Sequence, residues 1–262
     1  MNKTPGVYQN ILKNGTVTYR ASFTHRSKHI SLGTYETESL AGQAYSYAVS
    51  LMETDLALED YPENCPLNFE KFVILCNLRD NGIYISKPVY LEKKYFTYHF
   101  SPTVSYKFDM DDLFYFSSHK LMKRGNHLFV SDYGLQISLN ERFGIRPFAA
   151  EGRDYVFING DRTDFRRENI EIINRYHGVT REEKKTAVIY KTVVHVNGNI
   201  IVGRYDDEIE AAIAYNKAVD ILNASGVNKN YPQNYIDGLS AREYADIYTR
   251  VKISEKLDHL ME

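Results

Sequence analysis

The chain has no tryptophan and only two cysteines, Cys65 and Cys76, with no CxxC spacing. Two isolated thiols exclude a disulfide framework and a zinc knuckle and leave packing as their role. No run approaches the roughly 20 apolar residues of a membrane-spanning helix, so no membrane partner is expected. A phosphate-binding loop, a dinucleotide fingerprint and a Ser-His-Asp arrangement are all missing, and no cofactor is expected. The opening segment MNKTPGVYQN has no apolar core of the kind a signal peptide needs, which predicts an intracellular, cytoplasmic protein. Net charge is nearly absent too: 32 Lys and Arg stand against 34 Asp and Glu, which excludes a histone-like polycation. What is present is an ordinary globular balance over 262 residues, with 22 Tyr and 13 Phe, enough chain for two or three small modules.

The decisive feature is an internal repeat. Ile30 to Val49 matches Ile200 to Val219 without a gap, carrying Gly33, Tyr35, Glu38, Ala41, Ala44, Tyr45 and Ala48 onto Gly203, Tyr205, Glu208, Ala211, Ala214, Tyr215 and Ala218. The shift of 170 residues persists from Tyr61-Pro-Glu-Asn64 to Tyr231-Pro-Gln-Asn234. Upstream, Tyr19-Arg20 pairs with Tyr190-Lys191 and Gly6-Val7 with Gly178-Val179, with the length changes falling in turns.

Each copy reads as three antiparallel strands followed by one helix. Val17 to Phe23 and His29 to Leu32 alternate with the period of a strand, and Asn14-Gly15 and Asn197-Gly198 are turn signals. Thr37 and Asp207 precede helices whose small Ala positions allow close packing on the sheet. Alternation sends Val7, Ala21, Phe23, Ile30 and Leu32 toward the helix, so Tyr8, Asn10, Arg20, Ser22, Thr24, His29 and Ser31 face outward. The matching outer set in the second copy is Lys191, Val193, His195, Asn199 and Ile201, which is more apolar.

Charge is unevenly placed. Met1 to Tyr35 carries Lys3, Lys13, Arg20, Arg26 and Lys28 with no acid, and Lys184 to Tyr205 carries Lys184, Lys185, Lys191 and Arg204 with none. Acids resume at Glu36 and Asp206, so strands read as basic and helices as acidic. A small antiparallel ribbon fits the major groove of double-stranded DNA, where Lys and Arg neutralise phosphates while Asn, Ser, Thr, His and Arg address base edges. A solvated strand face is the competing reading.

GVYQN, YRASF, ISLGTYETESLAGQAYSYAV and the closing YPEN resemble the AP2 domain, a three-stranded DNA-binding module. The segment from Gly178 resembles a more diverged copy. The resemblance implies that the sheet lies in the major groove with its outward strand residues on bases. Plant members carry Trp where this chain has Ser31 and Ile201, so their base preference does not transfer.

Between the copies, Tyr155 to Ile170 (YVFINGDRTDFRRENI) is similar to the signature of HNH endonucleases, with Asn159-Gly160 as the tight turn and Glu168-Asn169-Ile170 in the family's helix. That resemblance implies a ββα module but not its chemistry. Such a nuclease needs a histidine base and a metal held by His or Asn. Phe157 occupies the base position and Phe165 that of the central Asn, and a phenyl ring neither takes a proton nor ligates a metal. Asp161 and Asn169 suit structural roles and Asp164 a helix cap; His177 alone near the last metal position is one ligand, not a site. Arg153, Arg162, Arg166, Arg167 and Arg175 surround the motif, for phosphate contact or for ion pairs with Glu151, Asp154, Asp161 and Glu168. His119, Lys120, Lys123, Arg124 and His127 form a further basic stretch.

The expected architecture is therefore α+β: an AP2-like domain over 1–66, a degenerate ββα HNH-like domain over 67–177, and a second AP2-like domain over 178–262. The last closes with an amphipathic helix announced by Ser240 and Glu243. The expected function is sequence-specific binding of double-stranded DNA by a phage or mobile-element type of regulator that does not cut. The DNA-binding candidates are Tyr8, Asn10, Arg20, Ser22, Thr24, Arg26, Lys28, His29, Lys184, Lys185, Lys191, His195 and Arg204, with no catalytic or metal residue. Two alternatives stand beside it: an endonuclease with unusual ligands, and an inhibitor that binds a host nuclease or defence complex.

Overall fold

A computed structural model describes residues 4–227 and 229–260. The chain is α+β, with small antiparallel sheets and short helices. Its compact units do not follow the domain boundaries expected from sequence. One comprises residues 1–137 and 161–169, the other residues 138–160 and 170–262.

In the first unit, β1 (Val7–Ile11), β2 (Val17–His25) and β3 (Lys28–Tyr35) pair in sequence order, and α1 (Glu38–Leu51) covers one face. Val7, Ala21, Phe23, Ile30 and Leu32 are buried beneath Ala41, Ala44, Ala48 and Leu51. Three alanines on one stripe let the helix approach the strands closely, and the Thr37 side chain accepts from Leu40 N at 3.2 Å to start it.

The same core takes in α2 (Phe69–Asn81), which starts on the Asn68 side chain and ends at Gly82 in the left-handed region. This helix is buried along Phe72–Leu78, so its sequence reads as one apolar run without a clear stripe. A second sheet follows, β4 (Val89–Leu91), β5 (Tyr95–Ser101) and β6 (Val104–Asp109), with the short α3 (Leu113–Ser118) behind it. Phe96, Phe108 and Phe116 pack ring on ring there, Phe108 and Phe116 with centroids 4.3 Å apart. The last sheet begun in this stretch is β7 (Leu121–Arg124), β8 (His127–Asp132) and β9 (Leu135–Ser138).

The second unit contains the short helix α4 (Leu139–Arg142) and the pair β10 (Tyr155–Phe157) with β11 (Ile170–Ile172). It then repeats the opening motif as β12 (Val179–Glu183), β13 (Val188–His195), β14 (Asn199–Tyr205) and α5 (Glu208–Ala224). Asp207 caps α5 by accepting from Glu210 N at 2.9 Å. The terminal helix α6 (Ala241–Arg250) carries the expected capping box at Ser240 and Glu243, and Tyr244, Ile247, Tyr248, Val251 and Leu257 pack into the core of the second repeat.

The repeat extends to details that sequence alignment cannot see. Register slips between Ala21 and Ser22 in the first sheet and between Thr192 and Val193 in the second, at equivalent positions. Beside each slip sits a glycine with φ near +70°, Gly6 and Gly178, whose carbonyl accepts from the bulge residue: Ser22 N at 2.9 Å and Val193 N at 2.8 Å. Tyr45 of α1 and Tyr215 of α5 lie over these glycines and leave no room for a Cβ. A left-handed backbone against an aromatic ring is where only glycine is free of strain.

The structure corrects the reading of Tyr155 to Ile170. No α-helix forms at Glu168-Asn169-Ile170; Arg167–Asn169 is one 3-10 turn, and Ile170 already begins β11. Asp164 is not a helix cap. It is fully buried, held by Arg166 Nε at 2.8 Å, and it accepts from Arg166 N at 3.2 Å. Residues 163–165 instead run parallel to β6: Lys107 N donates to Thr163 O and Phe165 N to Lys107 O, each at 2.9 Å.

Candidate nucleic-acid interface

Pairing across the first sheet sets out its uncovered face. Tyr8 stands opposite Arg20 and Arg20 opposite Thr34; Asn10 faces Thr18, and Thr24 faces His29. Tyr8 is 55 % exposed, and Asn10, Arg20, Thr24 and His29 are exposed with it. The hairpin between β2 and β3 turns through Arg26 and Ser27 alone, with φ of 45° and 65°, and lifts the exposed Arg26 and Lys28 at its tip. Two successive left-handed residues give the tight turn that matches strand twist.

One predicted contact is lost. Ser22 is only 2 % exposed, because the register slip and the Gly6 turn close over it, and Ser31 opposite it is half-buried. Alternation alone places Ser22 outward, but a bulge breaks the strict period of two.

The electrostatics of this face are simple. β1, β2 and β3 contain no acidic residue, and among the described residues Lys13, Arg20 and Arg26 form no ion pair. Lys28 lies over the Tyr84 ring at 5.1 Å. Lys3 lies outside the described residues.

The second sheet differs in a way the sequence reading missed. Its first strand carries Glu182 and Glu183, so strands are not uniformly basic. Glu182 lies 3.7 Å from both Lys191 and Arg204, and Arg181 pairs with Glu183 at 2.8 Å. The run Thr180-Arg-Glu-Glu183 carries that signal, immediately before the acid-free span that begins at Lys184. Lys184 and Lys185 are exposed in the turn after β12, closed by Lys184 N to Ala187 O at 2.9 Å, rather than on a strand. His195 is exposed and its Nδ1 meets Asn199 Oδ1 at 2.9 Å; between these polar ends Ile201 is 41 % exposed.

No protein-family profile, curated protein or solved structure matches this chain.

The stretch similar to a nuclease signature is occupied by packing and ion pairs. Phe165 is 4 % exposed, with ring centroids 5.9 Å from Phe108 and 6.1 Å from Tyr106. Phe157 is half-buried against Tyr155. Asn169 Nδ2 donates to the carbonyls of Asp161 and Asp164, at 3.2 and 2.8 Å. Asp161 accepts from the Thr163 hydroxyl at 2.6 Å and from Lys107 Nζ at 2.9 Å, and these hydrogen bonds, the hydroxyl first, hold its carboxyl down at about 2. Among the described residues no three His, Cys, Asp or Glu side chains are grouped to hold a metal.

The arginines around this stretch divide sharply. Arg166 pairs with Asp164 and Glu168, Arg167 with Asp112 and Asp109, and Arg153 with Asp154. Arg175 has no such partner among the described residues. In the earlier basic stretch Lys120 reaches Glu70 at 3.4 Å, while Lys123 and Arg124 lie over the Tyr106 and Phe129 rings. His119 stacks on Tyr115 at 4.3 Å.

Proposed function

We propose that the chain binds double-stranded DNA through the outer face of the β1–β3 sheet and does not cut it. The observation that carries this reading is the acid-free, ion-pair-free set Lys13, Arg20 and Arg26 around an exposed polar face, in a protein whose other arginines are mostly engaged by carboxylates. Cations left without protein partners are available to phosphate, and a ribbon one face wide enters the major groove. Arg20, Arg26 and Lys28 contact the backbone, while Tyr8, Asn10, Thr24 and His29 address base edges.

The second sheet has the same backbone but self-neutralised charge at Lys191 and Arg204, so its contribution to affinity is smaller. With Phe165 packed into an aromatic cluster, binding without cleavage leaves occlusion or recruitment as the outcome, as in a transcriptional repressor or a regulator of a mobile element. The likeness to the AP2 domain supports this use of the sheet.

Selection of bound duplexes from a random pool, followed by mobility shift at low salt, tests it. Enrichment of one short motif is expected. Arg20→Ala with Arg26→Ala should weaken binding and reduce the slope of log affinity against log salt by about 2. No binding of any duplex at micromolar protein rejects the proposal.

A further inference from the structure

Within the unit of residues 138–160 and 170–262, a cleft of about 520 Å³ opens between Gly144–Arg146, the stretch from Ile172 to His177, and Gln233–Asp237. That volume accommodates a small ligand or a group projecting from a larger one. Nothing in the reading of the first sheet uses it.

The wall of the cleft is basic, and its cations are incompletely satisfied. The Arg146 side chain is only 14 % exposed; its Nη2 binds Asp154 Oδ1 at 2.9 Å, while its buried Nε has no acceptor. Asp154 cannot supply more, because its other oxygen already accepts from Arg153 Nη2 at 2.7 Å and from Ala150 N at 2.8 Å. Arg175, exposed on the same wall, has neither hydrogen-bond nor ion-pair partner among the described residues. The His177 ring beside it is likewise unpaired, and burial, then the Arg146 charge, pushes its pKa below the usual imidazole range.

The framework is fixed in advance. His177 N donates to Asn234 Oδ1 at 2.7 Å, and Asn234 Nδ2 returns a bond to His177 O at 3.1 Å. Asn234 is in turn locked to Asn216 of α5 through its own backbone: Asn234 N to Asn216 Oδ1 at 2.7 Å, and Asn216 Nδ2 to Asn234 O at 2.8 Å. A ligand would not have to order this wall.

We propose that this cleft binds a phosphoryl group, with Arg146 and Arg175 as guanidinium donors and the His177 ring as a third polar contact. Donors approaching from several directions suit a tetrahedral phosphoryl group, whose oxygens do not lie in one plane, better than the two coplanar oxygens of a carboxylate. Asp237 on the rim forms no ion pair among the described residues and opposes an anion. It therefore gives the site a diagnostic: its removal tightens phosphate, where a merely structural role would not.

The full-length protein is titrated with inorganic phosphate while the His177 ring protons are followed by nuclear magnetic resonance, for the wild type, Arg175→Gln and Asp237→Asn. Arg175 and Asp237 have no hydrogen-bond or ion-pair partner among the described residues, so both variants are expected to keep the fold. Saturable shifts are expected, about tenfold weaker in Arg175→Gln and tighter in Asp237→Asn. Duplex DNA is then added as a competitor. Displacement of phosphate identifies the ligand as a nucleic-acid backbone; persistence identifies a free phosphate or phosphorylated small molecule. Silent His177 signals beyond ~10 mM phosphate, or equal affinity in wild type and Arg175→Gln, overturn the proposal. Loss of DNA binding through the first sheet would leave this result untouched.

Discussion

Glu182 on β12 stands 3.7 Å from Lys191 on the neighbouring strand, on the uncovered face of the second sheet. It lies equally far from Arg204 on β14. The first sheet has Asn10 and Thr18 in this region and no acid. Glu182 thus gives a charge of opposite sign to one of two sheets that share strand order and bulge position. Glu182→Gln should release both cations, tighten DNA binding at low salt and steepen its salt dependence by between about one and two phosphate contacts. An unchanged salt slope in a mobility-shift series would show that the second sheet is not near the DNA.

This contrast also marks what the sequence could reveal. Strand alternation, the Thr37 and Asp207 caps and the alanine stripes are local signals, and each element they announce is present. Ser22 was misplaced because a bulge is a property of two strands together. The helix expected at Glu168–Ile170 came from likeness to a family, with Asp164 as its expected cap; buried Asp164 is instead paired with Arg166. The Arg146–Asp154 pair joins residues without a shared motif, and only folding brings them into register.

Gly6 should tolerate no side chain. Its φ of +69° lies in the left-handed region, and an added Cβ would meet both the Tyr45 ring and the Ser22 carbonyl. Gly6→Ala is expected to cost about 1–2 kcal/mol for the backbone and about 1–3 kcal/mol more for the displaced ring. Gly15→Ala, at φ +84° with nothing within 4 Å, should cost the backbone component alone. Urea midpoints of the two variants make the comparison, and equal losses would contradict the packing role of Tyr45.

Restoring the nuclease-like side chains should not restore cutting. Phe165→Asn places an amide where the Phe108 and Tyr106 rings now pack, with an expected loss of about 3–5 kcal/mol by analogy with large-to-small core changes. Phe157→His together with Phe165→Asn is therefore expected to give a destabilised protein without magnesium- or manganese-dependent nicking of supercoiled plasmid. Nicking abolished by a chelator would revive the endonuclease reading.

Stability should fall with acid in two separate windows. Burial holds His99 down to about 4 from the ordinary 6.5, with its Nε2 on the Thr97 hydroxyl at 2.8 Å. The unfolded chain binds that proton first, so this contribution is complete above pH 6.5 and is lost as pH falls to about 4. Asp161 behaves likewise at lower pH. Its stabilisation is complete above the ordinary 3.8 and is lost through about 2, as the bonds from Thr163 and Lys107 are forfeited on protonation. His99→Gln should flatten most of the upper window, leaving the smaller slope that His177, also lowered by burial, contributes in the same direction. Asp161→Asn should reduce the slope of the lower one, leaving what Asp80, Asp154 and Glu243, also held below their ordinary values, contribute in the same direction. Urea midpoints followed by circular dichroism across both ranges separate the two, and a wild-type profile that is level between pH 6.5 and 4 would show that His99 is not held neutral by the fold.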